Sequence, residues 1–144
     1  MKVFLRLLIC CILFVGIACG KKGPPVPPKS IIPPSVKDLK GEMIQERVRL
    51  SWTMPRGEKQ CRLLKAVVPL TEEPCADCPV RFTEQVEIDT TDSKMVDMEG
   101  DKVTYWESAA PGRRYIYKVI VISEDGAESK DSNIVSISEK QNAK

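Results

Sequence analysis

Apolar and polar residues alternate over several short segments of this chain. Val48, Leu50 and Trp52 are separated by single polar residues. A period of two indicates a half-buried β-strand. The run 115–122 is apolar at nearly every position and rich in β-branched and aromatic residues, which is typical of a central strand. Residues 133–137 predict a short strand that folds back on this run.

The segment 36–138 contains several such runs, turn signals between them and little helical periodicity. About a hundred residues of this kind predict a single all-β domain, an antiparallel β-sandwich with one modest core. A third strand is expected over residues 61–65 and another over residues 80–88. An insertion that contains Cys75 and Cys78 separates them, and the register in this part of the chain stays open.

Two motifs resemble fibronectin type III domains. Residues 50–55, Leu-Ser-Trp-Thr-Met-Pro, are similar to the second strand of that family, and residues 111–119 resemble the entry into its sixth strand. The resemblance implies a fibronectin type III or immunoglobulin-like sandwich with Trp52, Tyr115 and Tyr117 in the core. It also implies that Tyr115 forms a tyrosine corner, in which the hydroxyl bonds to backbone a few residues upstream.

The amino terminus has the three-part layout of a secretory signal. Lys2 and Arg6 precede an apolar stretch from Leu7 to Ile17, which ends at small residues. The stretch is too short for a transmembrane helix, which needs roughly twenty apolar residues. We therefore expect residues 1–18 to be a signal peptide.

Ala18-Cys19-Gly20 resembles the lipobox of bacterial lipoproteins, although Gly16 stands where that family prefers leucine. In this family the signal is cut before the cysteine, which carries the lipid. The resemblance implies a covalent lipid on Cys19, no other cofactor, and a membrane as a partner through this anchor. Gly20, where no aspartate is present, resembles the sorting pattern for the outer membrane of enteric bacteria, so we expect an outer-membrane protein that faces the periplasm.

Loss of the signal changes the charge balance. The signal holds two of the 22 basic residues and no acidic residue, which leaves 20 basic and 20 acidic side chains and a net charge of zero. A neutral chain gives no support for nucleic acid as a partner. The glycines are scattered and form no phosphate-binding loop, so nucleotide binding has no support either.

Residues 19–35 form the expected tether, and residues 139–144 a polar tail. Six of the eleven residues between Pro24 and Pro34 are proline, a composition that favours an extended polyproline II path. The mature start, Cys-Gly-Lys-Lys-Gly-Pro, is similar to that of short outer-membrane lipoproteins associated with the lipopolysaccharide translocon. This resemblance covers about six residues and implies an alternative role in envelope assembly.

Catalytic chemistry has few candidates in this chain. It contains no histidine, which excludes Ser-His and Cys-His nucleophiles and zinc sites that use imidazole. In an oxidising envelope Cys75 and Cys78 predict a structural disulfide. A thiol redox factor that uses this pair is the alternative, although the flanking prolines differ from the redox motif, which opens a helix. A metal site of these two thiolates with Cys61 lacks a fourth ligand, so we expect no metal and no catalytic residue.

A binding face is a stronger candidate than a catalytic site. If Tyr115 and Tyr117 point inward, alternate residues of the same strand point outward. The outward apolar set then comprises Ile116, Ile120 and Ile122 with Leu64 and Ile134 from neighbouring strands. Either the Cys75 insertion or a partner covers such a face, and we favour the insertion. The sequence thus predicts a lipid-anchored, non-enzymatic binding or adaptor module whose partner is an unidentified envelope protein.

Overall fold

A computed structural model describes residues 31–72, 78–92 and 94–139 of the chain. These ranges hold eight β-strands: β1 (Lys40–Ile44), β2 (Arg47–Thr53), β3 (Gln60–Pro69), β4 (Glu84–Asp89), β5 (Val96–Glu99), β6 (Lys102–Ser108), β7 (Arg113–Ile122) and β8 (Val135–Ser138). Within the same ranges we find no helix that is long and apolar enough to cross a membrane.

The strands form two four-stranded antiparallel sheets. The first sheet has the order β1-β2-β6-β5 and the second the order β4-β3-β7-β8. β7 lies between β3 and β8, as its apolar sequence predicted. The prediction of an all-β antiparallel sandwich is therefore confirmed.

The inward faces of both sheets form one core. Alternation along β2 buries Val48, Leu50 and Trp52, and Trp52 is 1% exposed. In β7 the same alternation buries Tyr117 and its neighbours Val119 and Val121. Trp52 Nε1 has no hydrogen-bond partner among the described residues, so this ring stabilises the fold by apolar packing alone.

Tyr115 lies at the start of β7 and closes one end of the sandwich. Its hydroxyl accepts a hydrogen bond of 2.6 Å from the backbone N–H of Ala110 and lies 3.3 Å from the carbonyl oxygen of the same residue. Gly112, in the turn between them, has φ +74°, a left-handed conformation that favours glycine. The bond to backbone five residues upstream is the contact that defines a tyrosine corner.

Several strand boundaries differ from the sequence-based expectation. β8 covers Val135–Ser138 rather than residues 133–137, so Ile134 lies just before this strand, and β7 begins at Arg113 rather than at residue 115. β3 runs from Gln60 to Pro69, whereas residues 61–65 were expected. β4 begins at Glu84, so residues 80–83 are not part of the expected 80–88 strand. The ring of Phe82 instead lies 4.7 Å from Lys118 Nζ on the outside of the second sheet.

Replacement of the central tryptophan tests the core directly. We expect Trp52→Ala to lower the free energy of unfolding by about 3–5 kcal/mol, because a large buried ring leaves a cavity. Trp106→Ala is the matched control, since that ring is only half-buried on the outside of the first sheet. Urea denaturation followed by circular dichroism measures both variants. Equal losses for the two would contradict the placement of Trp52.

The tyrosine corner predicts a smaller effect. Tyr115→Phe removes the bond to Ala110 but keeps the ring, so a loss of about 1 kcal/mol is expected in the same denaturation experiment. Tyr105→Phe serves as the control, because no hydrogen bond of its hydroxyl to the described residues is found. A Tyr115→Phe domain as stable as this control would show that the corner contributes nothing.

Candidate functional site

The outside of the second sheet carries the apolar residues that the sequence singled out. We call Leu64, Ile116, Ile120, Ile122 and Ile134 the outer strip. The side chains of the first four are half-buried, and Ile134 is 55% exposed. The structure places the four residues of β3 and β7 on one face, and Ile134 lies directly before β8, the edge strand of the same sheet. A binding role for them stays a prediction.

Lys118 divides the outer strip near its middle. It pairs with Leu64 across the β3–β7 ladder. Its Nζ lies 2.8 Å from Asp131 Oδ2 and 4.7 Å from the centre of the Phe82 ring. The ammonium group is therefore held by a carboxylate and an aromatic face.

Arg62 divides the strip a second time, opposite Ile120. Its guanidinium lies 2.6 Å from Glu128 Oε1 and 3.4 Å from Glu87 Oε1. The hydrogen bond to Glu128 is the main reason that the pKa of Arg62 is raised. The apolar residues are thus separated by paired charges rather than forming one continuous patch.

Part of the outer face is covered by the chain that returns from the insertion. Residues 78–83, which we call the arm, run back to β4 alongside β3. A groove of about 380 Å³, the arm groove, separates the arm from Ala66, Val68 and Ile116. Val80 of the arm is 39% exposed. The arm thus lies at the Ile116 end of the outer strip, while Ile134 stays exposed.

A charged cluster between the two sheets was not expected from the sequence. Lys65 Nζ lies 3.3 Å from Glu107 Oε1 and 3.3 Å from Glu84 Oε2. The hydroxyl of Tyr117 donates a hydrogen bond to Glu107 Oε1. The side chains of Lys65 and Glu107 are each 15% exposed. The alternation of side chains along β3 could have predicted this position, because Lys65 lies two residues after Leu63 and faces the same inward side as Cys61 and Leu63.

The pKa values of Lys65 and Tyr117 are both shifted upward in this cluster. Burial lowers the pKa of Lys65, but the attraction of Glu107 and Glu84 outweighs it, and the net pKa is raised. Burial, the hydrogen bond to Glu107 and its charge all raise the pKa of Tyr117. Lys65 therefore stays protonated and Tyr117 stays neutral near neutral pH, so both act as structural donors.

Sequence reasoning also missed Trp106 on the outside of the first sheet. Its ring lies 5.0 Å from Arg47 Cζ and 5.7 Å from Arg49 Cζ. Arg49 also pairs with Glu42. Contacts of this kind between an exposed ring and guanidinium groups stabilise by about 0.5–1 kcal/mol.

Two cysteines, Cys61 and Cys78, lie among the residues that the structure describes. Cys61 is a free, buried thiol, and burial raises its pKa to about 12. Such a thiol is a poor nucleophile at neutral pH. Cys78 lines the arm groove, but Cys75 lies outside the described residues, as does Cys19. The Cys75–Cys78 disulfide and the lipid on Cys19 therefore stay predictions. Within the described ranges, no group of three or more acidic or thiol side chains is placed to hold a metal ion.

Comparison with known proteins identifies the fold. No protein-family model matches the chain, and no curated protein sequence matches it. Among solved structures, it is similar to part of the twitchin kinase region from C. elegans, with a TM-score of 0.51 and 15% identity over 78% of this chain and 18% of that one. An Fn3-like protein from Clostridium thermocellum gives a TM-score of 0.49 and 15% identity over 74% of this chain and 93% of that one. The FN5 domain of Drosophila Lar gives a TM-score of 0.45 and 12% identity over 75% of this chain and 99% of that one.

These identities are low, and they bear on the fold alone. Two facing antiparallel sheets, with Trp52 in the core and a tyrosine bonded to backbone at the entry to β7, agree with that likeness. Domains of this kind serve many different functions, so the fold by itself names no ligand. The described domain has a fibronectin type III-like fold.

Proposed function

We propose that this protein is a lipid-anchored, non-catalytic binding module of a bacterial cell envelope, which binds a protein partner through the outer strip. The observation that carries the proposal is the 55% exposure of Ile134 at the edge of a sheet whose outer face carries half-buried isoleucines. The water-facing side of an antiparallel sheet normally carries polar residues. Apolar residues interleaved with paired charges on that face supply both the apolar contacts and the polar groups of a protein interface.

The first sheet provides the contrast. Its outer face is mostly polar along the middle strands, with Arg47, Arg49 and Ser51 in β2 and Lys102 and Thr104 in β6. The large apolar side chain on that part of the face, Trp106, lies against Arg47 and Arg49. Polar and charged side chains dominate the solvent-facing side of an ordinary antiparallel sheet. The asymmetry between the two outer faces favours the second sheet as the binding surface.

The anchor is proposed from the sequence. A lipid on Cys19 would place the domain at the end of the proline-rich tether. Pro33 and Val36 are already buried in the domain, so the free part of the tether ends near Ile32. At about 3.1 Å per residue, residues 20–32 would span roughly 40 Å if fully extended. We assign the anchor to the outer membrane, with the domain in the periplasm.

Site-specific crosslinking tests the binding surface. A photo-reactive residue at Ile134 should crosslink one recurrent envelope protein in intact cells. The same residue at Ile44 should not crosslink it, although Ile44 is an isoleucine with 37% exposure on the first sheet. Ile134→Asp should weaken recovery of that partner at least about tenfold, and Ile44→Asp should leave it unchanged. The same partner from both positions, or none from Ile134, would contradict the proposed surface.

A separate experiment tests the anchor. Cys19→Ser removes the thiol that would carry the lipid, so the variant should not incorporate a labelled fatty acid and should keep its signal peptide. Ser30→Ala, in the tether, is the control and should be lipidated normally. Metabolic labelling followed by mass spectrometry of the amino terminus measures both. A mature Cys19 with a free thiol in cells that process other lipoproteins would contradict the anchor.

A further inference from the structure

β3 is paired on both sides along only part of its length. It pairs with β7 over ten positions, from Gln60 to Pro69. On its other side it pairs with β4 from Gln60 to Lys65 only. Among the residues that the structure describes, positions 66–69 of β3 therefore have a neighbour strand on one side only, and the arm lies on the other side.

The hydrogen bonds at both ends show which backbone groups face the arm. The carbonyl oxygens of Lys59 and Lys65 accept hydrogen bonds from the N–H groups of Thr90 and Thr83. The backbone N–H and C=O groups of odd-numbered residues in this strand therefore point toward β4. The N–H of Leu70 donates to the carbonyl oxygen of Gly112, so the backbone groups of even-numbered residues point toward β7. Backbone groups alternate in this way along any antiparallel strand.

Val67 is therefore the residue whose N–H and C=O point to the open side. Its side chain packs against the core, and the residue also lines the arm groove. We find no bond from its backbone to the described part of the arm. An unpaired donor and acceptor on a sheet edge can bind an added strand.

The arm groove is suited in size and lining to an extended peptide. Its volume is about 380 Å³, and its walls include Ala66, Ile116 and Val80. These apolar residues can contact one or two side chains of an added strand. The groove is bounded by the arm on one side and by the outer face of β3 and β7 on the other.

The charged residues of the lining indicate the charge of the occupant. Arg81 and Arg114 both line the groove, together with Glu72. Neither arginine forms an ion pair with any residue in the described part of the chain. Two unpaired guanidinium groups against one carboxylate favour an occupant that carries carboxylates.

We propose that the arm groove binds an extended, acidic and apolar peptide segment of the partner, which adds to β3 at Val67. The peptide backbone pairs with the N–H and C=O of Val67, an apolar side chain contacts Ala66 and Ile116, and a carboxylate pairs with Arg81 or Arg114. This inference rests on the proposed function for the existence of a protein partner, and it adds the chemistry that the partner presents.

A synthetic peptide tests the proposal. The probe is a fluorescein-labelled seven-residue peptide with capped ends, Val-Ser-Glu-Ser-Val-Ser-Glu, which places valine and glutamate on the same face of a strand, as Ile116 and Arg114 are on β7. Binding is followed by fluorescence anisotropy. Saturable binding is expected, weakened at least about tenfold by Arg81→Glu. Arg47→Glu is the matched control, because it makes the same charge change on the first sheet, and it should leave the affinity unchanged. A peptide with lysine in place of glutamate should bind at least about tenfold more weakly.

Two N-methylated copies of the peptide test the strand pairing. Methyl groups on one set of alternate amides face β3 and should abolish binding, whereas methyl groups on the other set face away and should be tolerated. Equal binding of the two copies, equal binding of the glutamate and lysine peptides, or no saturation up to about 1 mM peptide would each overturn the proposal. Binding of the protein to phosphatidylglycerol vesicles that is lost in Arg81→Glu, without peptide binding, would assign the groove to anionic lipid instead.

The two proposals fail in different ways. Absence of peptide binding with an intact Ile134 crosslink would remove the peptide groove and leave the binding module. Absence of the Ile134 crosslink with specific peptide binding would remove the outer strip as the main surface and leave the groove.

Discussion

The ten-residue antiparallel pairing of β3 with β7 is the contact on which the rest of this structure depends. One side of this ladder contributes Leu63 and Val119 to the core, and the other contributes Leu64 and Ile116 to the outer strip. Because side chains alternate strictly along both strands, a shift of one residue would exchange core and surface. The same ladder continues four residues beyond the end of the β3–β4 pairing. Within the described ranges, no strand pairs with the edge at Val67.

The charged contact between the sheets adds a second constraint on this alignment. Lys65 comes from β3 and Glu107 from β6 of the opposite sheet, and Tyr117 donates to the same carboxylate. Loss of one partner of a buried pair leaves an uncompensated charge, which costs far more than an exposed pair contributes. The cluster therefore disfavours any packing of the sheets that separates these three residues, while apolar contacts such as those of Trp52 supply most of the stability.

Local patterns in the sequence predicted a large part of the fold and less of the candidate site. Strict alternation identified β2, and apolar β-branched residues identified β7, because each signal lies within one strand. β6 was missed since Lys102, Glu107 and Ser108 make its pattern mostly polar, although Val103 and Tyr105 are buried. The arm groove could not be predicted, because it depends on where β4 stops pairing with β3 and on the path of Phe82. Both depend on contacts distant in sequence, which no local pattern encodes.

Amide hydrogen exchange in the free, isotope-labelled protein tests the central claim most directly, that β3 offers an unpaired edge on the face proposed to bind a partner. The N–H of Leu63 points to β4 and is paired there, whereas the N–H of Val67 points to the groove. The account predicts exchange at Val67 at least about a hundredfold faster than at Leu63. Equally slow exchange at the two amides would show that the edge at Val67 is already closed, and would contradict it.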